Sequence, residues 1–380
     1  MNNASRLLFV LLLLGAAVAA QARSLPIPDP PSLGAGSYVL LDVDSGQVLA
    51  SKNPDKHIKP ASVTKLMTCY ITFDAITNGD LSIDETTKVS KKAWKAKGSQ
   101  MFLRVGNEVS VDKLLDGLIT ASGNDAAIAL AQHMGGTTGT FVGYMNKYTE
   151  RLGLSNSHFE NVDGLPVENH YMSARDIAGL QAKIATDFPE LYQKYFQKKA
   201  FKYNGIKQHN RNKLLWSDSR VDGGKTGHTK EAGFNLVVSA KAKGMRLVSA
   251  VTGTDTNNAR NREADSLLNY GFRFFENGTF AKSGQSIAKV TVWKGDADRV
   301  PAVAQNKVVV AYPRGKRDDV KVSAKLPQSL TAPIQKGQKI GTLTIKYNDK
   351  LLKQKPLYAG KEVGEGGLFS RLIDAIWMMF

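Results

Sequence analysis

The stretch KPASVTKLMTCYI, residues 59–71, places a serine three residues before a lysine where a helix is predicted to begin. Pro60 is typical of the start of a helix, and the residues after it read as helical. A capping box would have Glu or Gln three residues after Ser62, but Lys65 stands there. A cation in the first turn opposes the helix dipole, at a cost of roughly 0.3–1 kcal/mol. This cost indicates another use for Lys65, although S-x-x-K alone is common by chance.

The segments on both sides of this helix predict one α+β domain. Residues 37–53 have the pattern of a strand, a tight turn and a second strand. Residues 109–191 have mostly helical spacing of apolar side chains, and residues 232–253 read as two strands joined near Lys243-Gly244. A further helix is predicted over residues 261–278. Strands at both ends with helices between them predict an antiparallel sheet that is closed by both termini of the domain.

The remaining carboxyl-terminal sequence predicts a small domain and a short helix. Residues 279–364 consist of short alternating segments separated by turn residues, which is typical of an all-β domain acting as a spacer or binding module. In residues 365–380, Ser370, Arg371 and Asp374 share one side of a helical wheel, and apolar side chains fill most of the rest. We expect an amphipathic helix that lies in a membrane interface with Trp377 at headgroup level. The alternative is a helix packed on the protein itself.

The amino terminus predicts export. Residues 1–22 combine a positive Arg6, an apolar run and the Ala20-Gln21-Ala22 cleavage pattern of a secretory signal peptide. The mature chain then begins near Arg23, and its first domain extends over residues 23–278. No later run approaches the ~20 apolar residues that a membrane span needs.

Charge and cysteine content limit the possible partners. The formal net charge is +17, and the mature chain keeps +16 because Arg6 is the one charged residue of the leader. Because the chain is expected to be exported, nucleic acid is not an expected partner, and the positive charge favours anionic lipid headgroups or an anionic cell-wall polymer. The single cysteine, Cys69, rules out an internal disulfide and is expected to be a small buried hydrophobe.

Three short motifs together point to a family. Ser62-x-x-Lys65 is followed by Ser122-Gly123-Asn124, which breaks a helical pattern, and then by Lys225-Thr226-Gly227. In this order, with these spacings and an export signal, the motifs resemble those of the serine penicillin-recognising enzymes. Over essentially its whole length the chain is similar to the low-molecular-mass penicillin-binding proteins of peptidase family S11. These are membrane-anchored D-alanyl-D-alanine carboxypeptidases like penicillin-binding proteins 5 and 6.

The residue types support acyl transfer. A serine needs a base within hydrogen-bond reach, and Lys65 lies on the same helical face as Ser62. The usual lysine pKa, near 10.4, is too high for a base at neutral pH. We expect burial, the helix amino terminus and the second cation Lys225 to lower the pKa of Lys65. Ser122 is the expected proton relay to the leaving group, and Asn124 is expected to hold Lys65 and a substrate amide carbonyl.

The resemblance also implies a substrate-binding strand. Lys225 and Thr226 would bind the substrate carboxylate, and Gly227 would let the substrate backbone lie along the strand edge. The oxyanion hole would be formed by the N–H groups of Ser62 and His228. The His228 side chain is expected to line the site, with a solvent-facing strand position as the alternative.

The position of the family's carboxylate-binding arginine is ambiguous. Arg262, in the sequence REA, matches it, but Arg260 lies two residues earlier in a loop that is longer than in relatives, so the choice between them stays open. The alternative is that Arg262 is a surface charge at the start of a helix, with no role in the site. The segment NVDGLP, residues 161–166, resembles the family's site-bordering loop, although some relatives have histidine where Asp163 stands.

The implied function is a serine carboxypeptidase that removes the terminal D-alanine from peptidoglycan pentapeptides and is acylated by β-lactams. No cofactor is expected, and the six histidines show no metal-binding spacing. The expected location is the periplasm, at the outer face of the inner membrane, through the carboxyl-terminal helix and anionic lipids. A β-lactamase is disfavoured because no E-x-x-L-N glutamate is found. A non-catalytic β-lactam- or wall-binding protein is disfavoured because all three motifs are intact. Transpeptidase or endopeptidase activity stays open.

Overall fold

The computed structural model describes residues 27–368 and Asp374. The predicted signal peptide, residues 1–22, and 11 of the 16 residues of the predicted amphipathic helix lie outside the described residues. Among the described residues, no helix combines the length and the apolar character needed to span a bilayer. In chain order, the strands are β1 (Ser37–Asp42), β2 (Gln47–Lys52), β3 (Thr86–Lys88), β4 (Glu108–Ser110), β5 (Ala200–Tyr203), β6 (Ile206–His209), β7 (Val221–Thr229), β8 (Gly233–Ala242), β9 (Met245–Thr254), β10 (Phe275–Ala281), β11 (Ser286–Trp293), β12 (Arg299–Val303), β13 (Val308–Pro313), β14 (Val320–Lys325), β15 (Ser329–Thr331), β16 (Lys339–Tyr347) and β17 (Lys350–Ala359).

The α-helices connect the strands of the first domain. They are α1 (Lys65–Asn78), α2 (Lys91–Trp94), α3 (Val111–Asp116), α4 (Asn124–Gly135), α5 (Thr138–Leu152), α6 (Ala174–Asp187), α7 (Pro189–Phe196), α8 (Leu214–Ser217) and α9 (Asn257–Phe274). A short 3₁₀ turn, Ala61–Thr64, precedes α1, and a π-helical turn, Gly117–Ala121, follows α3. Side-chain caps fix several starts: the hydroxyl of Ser173, for example, accepts from the Asp176 N–H at 3.1 Å at the start of α6.

The first domain is built on a five-stranded antiparallel sheet with the order β2-β1-β9-β8-β7. The amino-terminal hairpin therefore pairs with β9 from the far end of the domain, which confirms the predicted α+β sheet closed from both ends. Strands β8 and β9 are buried on both faces because successive side chains enter two different cores. Val237 and Val248 pack with the helices inserted between β2 and β7, whereas Leu236 and Leu247 pack beneath α9.

The carboxyl-terminal domain is all-β, as predicted, but it begins earlier than the sequence indicated. Helix α9 ends at Phe274, and β10 follows at once and pairs with β13. The prediction of a helix to residue 278 was wrong because this pairing joins residues 27 to 38 positions apart, which local spacing cannot show. A six-stranded sheet, β14-β16-β17-β12-β11-β15, completes the domain around a third apolar core.

Candidate active site

Ser62 lies in the tight 3₁₀ turn that leads into α1 and is half-buried. The cap position of this turn is held by Pro60, which forms no side-chain cap, and the hydroxyl of Ser62 accepts from Lys65 Nζ. The preceding residue, Ala61, has a φ of 49°, which is in the left-handed region. Such a conformation costs a non-glycine residue on the order of 1–3 kcal/mol and is found mostly at functional sites.

Lys65 is buried beside this serine. Its Nζ lies 2.9 Å from Ser62 Oγ, and it donates to Asn124 Oδ1 and to the Asp163 carbonyl oxygen, both at 2.7 Å. Burial is the main cause that lowers the pKa of Lys65 to about 7, and the nearby Arg211 lowers it further, while Asp163 and Asp125 oppose the change. The predicted direction is confirmed, and Arg211 is an additional cation that the sequence did not indicate; the expected repulsion between Lys65 and Lys225 is seen in the lowered pKa of Lys225.

The S-x-N motif is presented by an interruption between two helices. The π-helical turn Gly117–Ala121 ends at Ser122, whose φ of 61° turns the chain sharply before α4 begins at Asn124. Turns of π-helix of this kind are often found at functional sites. The Asn124 side chain donates to the Lys97 carbonyl at 2.6 Å, which leaves its Oδ1 directed to Lys65.

The K-T-G motif lies on β7, the edge strand of the five-stranded sheet. Lys225 is buried and its Nζ donates to Ser122 Oγ at 2.7 Å and to the Thr226 carbonyl at 3.0 Å. Burial, followed by repulsion from Lys65, lowers the pKa of Lys225. Gly227 is required for close packing, because a Cβ there would lie 2.6 Å from the Pro60 carbonyl oxygen. The glycine thus lets the strand lie directly against the turn that carries Ser62.

The structure places Arg260, not Arg262, beside this strand. Arg260 is buried and its Nη1 donates to the carbonyls of Gly227 at 3.2 Å and Asn235 at 3.3 Å. Burial and the neighbouring Arg211 lower the pKa of Arg260 to about 10. Arg262 is exposed on another side of α9, since two helical positions differ by about 200° in direction. The match of Arg262 to the family position is therefore corrected to Arg260.

His228 follows the motif on β7, and its side chain is exposed. Its ring stacks on that of Phe234, its partner on β8, with the ring centroids 3.9 Å apart. The guanidinium of Arg260 lies 5.5 Å from the centroid of the same Phe234 ring. His228 therefore belongs to the rim of the site, and the role of its backbone N–H in an oxyanion hole stays a prediction.

Several residues that position the site were not found from the sequence. Asn235 donates from Nδ2 to the carbonyl of Lys59 at 3.0 Å and accepts from the Gly253 N–H at 2.9 Å. It therefore links the residues just before Ser62 to the sheet. His170 accepts from the Glu160 N–H at 3.0 Å through Nδ1 and contacts Thr64 Oγ1 at 2.8 Å through Nε2. Burial lowers the pKa of His170 to about 4, so this bridge is neutral at physiological pH.

The loop predicted to border the site lies directly on the 3₁₀ turn. Gly164 has a φ of +83°, and a Cβ there would come within 1.9 Å of the Ala61 carbonyl oxygen. This contact holds the carbonyl of Asp163 against Lys65, while the Asp163 side chain accepts from the Leu165 N–H at 3.1 Å. Asp163 contributes to the site through its backbone, which residue type alone does not indicate.

No group of three or more His, Cys, Asp or Glu within residues 27–368 is arranged to hold a metal ion. Cys69 is buried, as predicted, and burial raises the pKa of its thiol. A thiol in that environment is a poor nucleophile. The groups gathered around Ser62 are therefore two lysines, a second serine and an amide, which suits acyl transfer through a serine ester.

Comparisons with known proteins agree with this geometry. The family model described as D-alanyl-D-alanine carboxypeptidase, peptidase S11, matches residues 25–256, and the one described as penicillin-binding protein 5, C-terminal domain, matches residues 275–365. The chain is 43% identical over 362 residues to the D-alanyl-D-alanine carboxypeptidase DacA of Escherichia coli K12, which covers 93% of this chain and 90% of that protein. It is 35% identical to DacF of Bacillus subtilis over 89% of this chain and 88% of that protein.

Solved structures show the same fold. Penicillin-binding protein 5 from Haemophilus influenzae superposes with a TM-score of 0.86 at 40% identity, over 89% of this chain and all of that one. Penicillin-binding protein D2 from Listeria monocytogenes, in its ampicillin-bound form, has a TM-score of 0.59 at 29% identity and covers 64% of this chain and 100% of its own. The predicted family and fold are confirmed: the chain belongs to the peptidase S11 family of D-alanyl-D-alanine carboxypeptidases.

Proposed function

We propose that this carboxypeptidase acts through an acyl-enzyme on Ser62, with Lys65 as its general base. The observation that supports this most strongly is the 2.9 Å separation of Lys65 Nζ and Ser62 Oγ, together with a Lys65 pKa of about 7. A neutral amine at this distance accepts the hydroxyl proton while Oγ attacks the carbonyl carbon of the penultimate D-alanine. The tetrahedral oxygen would then be held by the N–H groups of Ser62 and His228.

Ser122 is the proposed proton donor to the leaving D-alanine amine. Its Oγ lies 2.7 Å from Lys225 Nζ, so Lys225 can replace the proton that Ser122 gives to the leaving amine. Asn124 keeps Lys65 in place and offers its amide to a substrate carbonyl. Collapse of the tetrahedral intermediate breaks the D-Ala–D-Ala amide and leaves an ester on Ser62. Water activated by Lys65 then hydrolyses this ester and restores the serine.

Positive charge at the edge of β7 supports recognition of a free terminal carboxylate. Lys225 and Arg260 are both buried with lowered pKa values, and Arg211 contributes to each shift. A bound carboxylate would relieve this repulsion, so Lys225, Arg260, Arg211 and the hydroxyl of Thr226 form the proposed carboxylate site. The substrate backbone would lie along the open edge of β7, where Gly227 leaves room.

The same serine is the proposed target of β-lactams. The structural relative from Listeria monocytogenes is described in ampicillin- and cefotaxime-bound forms, and this chain has the same fold over that region. A strained lactam amide would acylate Ser62 as the peptide does. The expected substrate in the cell is the peptidoglycan pentapeptide.

Transpeptidation is the second candidate activity. A Streptomyces relative with a TM-score of 0.60 at 29% identity is described as a DD-transpeptidase, and both reactions share one acyl-enzyme. They differ in whether water or an amine attacks the ester.

Export and membrane attachment are part of the proposal. Residues 1–22 would be removed as a signal peptide, residues 23–274 would form the catalytic domain and residues 275–364 the β domain. Residues 365–380 would attach the enzyme to the periplasmic face of the inner membrane through anionic lipids. The carboxylate of Asp374, in the middle of this segment, accepts from the Lys294 N–H at 2.5 Å, so this residue lies against the β domain.

The test is D-alanine release from diacetyl-L-Lys-D-Ala-D-Ala by the mature chain and by Ser62→Ala. We expect release by the wild type and none by the variant. Ser266→Ala, at a half-buried serine of α9 outside the site, should retain full activity. Labelling by a fluorescent penicillin is followed in parallel. Release that persists in Ser62→Ala would refute the nucleophile, and labelling without release would favour a binding protein over a hydrolase.

A further inference from the structure

We propose that one face of the β domain is a second membrane-binding surface, selective for anionic lipids and separate from the carboxyl-terminal segment. The surface, here called the lysine face, consists of Lys321, Lys325, Lys339, Lys346 and Leu351. All four lysines are exposed, and Leu351 retains 52% of its accessible surface. This binding goes beyond the proposed catalytic function and does not depend on it.

Strand register places these side chains on one side of the sheet. Lys321 of β14 is directly opposite Lys346 of β16, and Lys346 is in turn opposite Leu351 of β17. Directly opposite residues in antiparallel strands project to the same face. Lys325, at the other end of β14, is opposite Thr342. It lies on the same face as Lys321 because the two are four residues apart in a strand.

A shallow hollow of about 210 Å³ extends the same face. It is lined on this face by Lys339, Thr342, Gln354 and Pro356, and at its margin by Lys355, which pairs with the buried Leu343. Lys339 therefore lies beside Thr342, which is opposite Lys325. The lysine face thus extends across β14, β16 and β17. The uncharged polar side chains that line the hollow are those of Thr342 and Gln354. Both are shorter than a lysine side chain, so the lysine ammonium groups are the outermost groups.

The charge of this face is not balanced within the protein. Residues 275–365 contain 17 Lys and Arg against 8 Asp and Glu, a net charge of +9, whereas the much longer range 23–274 has +7. Within residues 27–368, ion pairs in the β domain involve Arg314 and Lys316, and none involves the lysine face. The direct opposition of Lys321 and Lys346 is unfavourable for folding. An external anionic surface would turn this repulsion into attraction.

Protection of a sheet edge explains only part of the pattern. Lysines on an edge strand discourage pairing with other chains, and β14 is an edge strand. Lys346, however, is on β16, an inner strand whose two neighbours already pair with it. Leu351 is an apolar side chain in the same row as two lysines. This combination suits the membrane interface, where the apolar group enters the lipid boundary beneath the headgroup charges.

The lysine face is directed away from the contact with the catalytic domain. Lys353 pairs with the buried Ile345, so it projects from the opposite side of β17. From that side its Nζ donates to the carbonyls of Ser45, in the β1–β2 turn, and Val309. The catalytic domain therefore packs on one side of this sheet region and leaves the other open to a flat surface.

The test measures partitioning of the full mature chain onto two kinds of vesicle. One is phosphatidylcholine alone, and the other is phosphatidylcholine mixed with phosphatidylglycerol. The ratio of the two partition coefficients isolates the charge-dependent part of binding from apolar insertion of the tail. In the triple variant Lys321→Gln, Lys325→Gln, Lys346→Gln we expect this ratio to fall about tenfold or more, because each lysine near an anionic surface contributes separately.

The matched control removes the same charge elsewhere in the β domain, through Lys282→Gln, Lys289→Gln and Lys307→Gln. We expect its ratio to stay close to that of the wild type, and both variants to release D-alanine normally. An equal fall in both variants would mean that bulk charge acts and no defined face exists. An unchanged vesicle ratio, with weakened binding of the lysine-face variant to purified cell-wall sacculi, would assign the face to an anionic wall polymer and overturn the proposal.

Discussion

At the scale of single residues, the site depends on the proton of Lys65. Its pKa of about 7 lies below the ordinary lysine value, so the amine loses its proton as pH rises through neutrality. A base must be unprotonated to act, and kcat/KM for D-alanine release should therefore rise with pH and level off above about 7. Lys65→Arg should be inactive throughout because guanidinium stays protonated. A wild-type profile that is flat on both sides of pH 7 would contradict this role.

The charges around Lys65 should shift this profile in opposite directions. Asp163 and Asp125 raise the pKa of Lys65, whereas Arg211 lowers it. Asp163→Asn is expected to move the acid limb of the profile to lower pH, and Arg211→Gln to move it to higher pH. Asp163→Asn keeps the backbone carbonyl that accepts from Lys65, so the geometry is preserved. Shifts of the same sign in both variants, measured in kcat/KM, would show that another group controls the limb.

At the scale of secondary-structure elements, catalysis requires β7 to lie against the turn that carries Ser62. A Cβ at position 227 would meet the Pro60 carbonyl at 2.6 Å, so Gly227→Ala must push strand and turn apart. We expect a loss of about 1–3 kcal/mol in the free energy of unfolding and a marked fall in the rate of penicillin acylation. Gly143→Ala, on α5, has no atom within 4 Å of its Cβ. It should leave the acylation rate unchanged and raise the free energy of unfolding by roughly 0.5–1 kcal/mol, because alanine is more stable than glycine inside a helix. Acylation at the wild-type rate by Gly227→Ala would contradict the argument.

Helix phase explains what the sequence could and could not predict. Motif spacing indicated Ser62, Lys65, Ser122, Asn124 and Lys225, which the structure brings together, because each motif is read within one local element. The choice of arginine depended instead on where α9 begins and which side it buries. The signal was available: Arg260 is four residues before the buried Ala264 and eleven before Gly271, on the face that packs on the sheet. Contacts made by backbone, such as the Asp163 carbonyl, have no counterpart in residue type.

At the scale of the whole molecule, polar contacts join the two domains. The Gln47 amide donates to the Ala311 carbonyl at 3.2 Å and accepts from the Ala311 N–H at 2.8 Å. Asn277 donates to the buried carboxylate of Asp42 at 3.0 Å. These bonds satisfy the backbone groups of Ala311 and one oxygen of the Asp42 carboxylate, whose other oxygen accepts from Ser45. The β domain is therefore expected to hold the catalytic domain in one orientation and to unfold together with it.

Removal of these contacts should uncouple the domains. Each substitution of the double variant Gln47→Ala, Asn277→Ala should cost about 1–3 kcal/mol, since it leaves buried polar groups unpaired. In scanning calorimetry we expect one transition for the wild type and two for the variant, with D-alanine release retained below the first transition. Gln354→Ala, at an exposed glutamine of β17, should keep a single transition. A single transition at the wild-type temperature in the double variant would contradict this prediction. The bonds of Gln47 and Asn277 would then not be what makes the two domains unfold together, and other contacts would couple them.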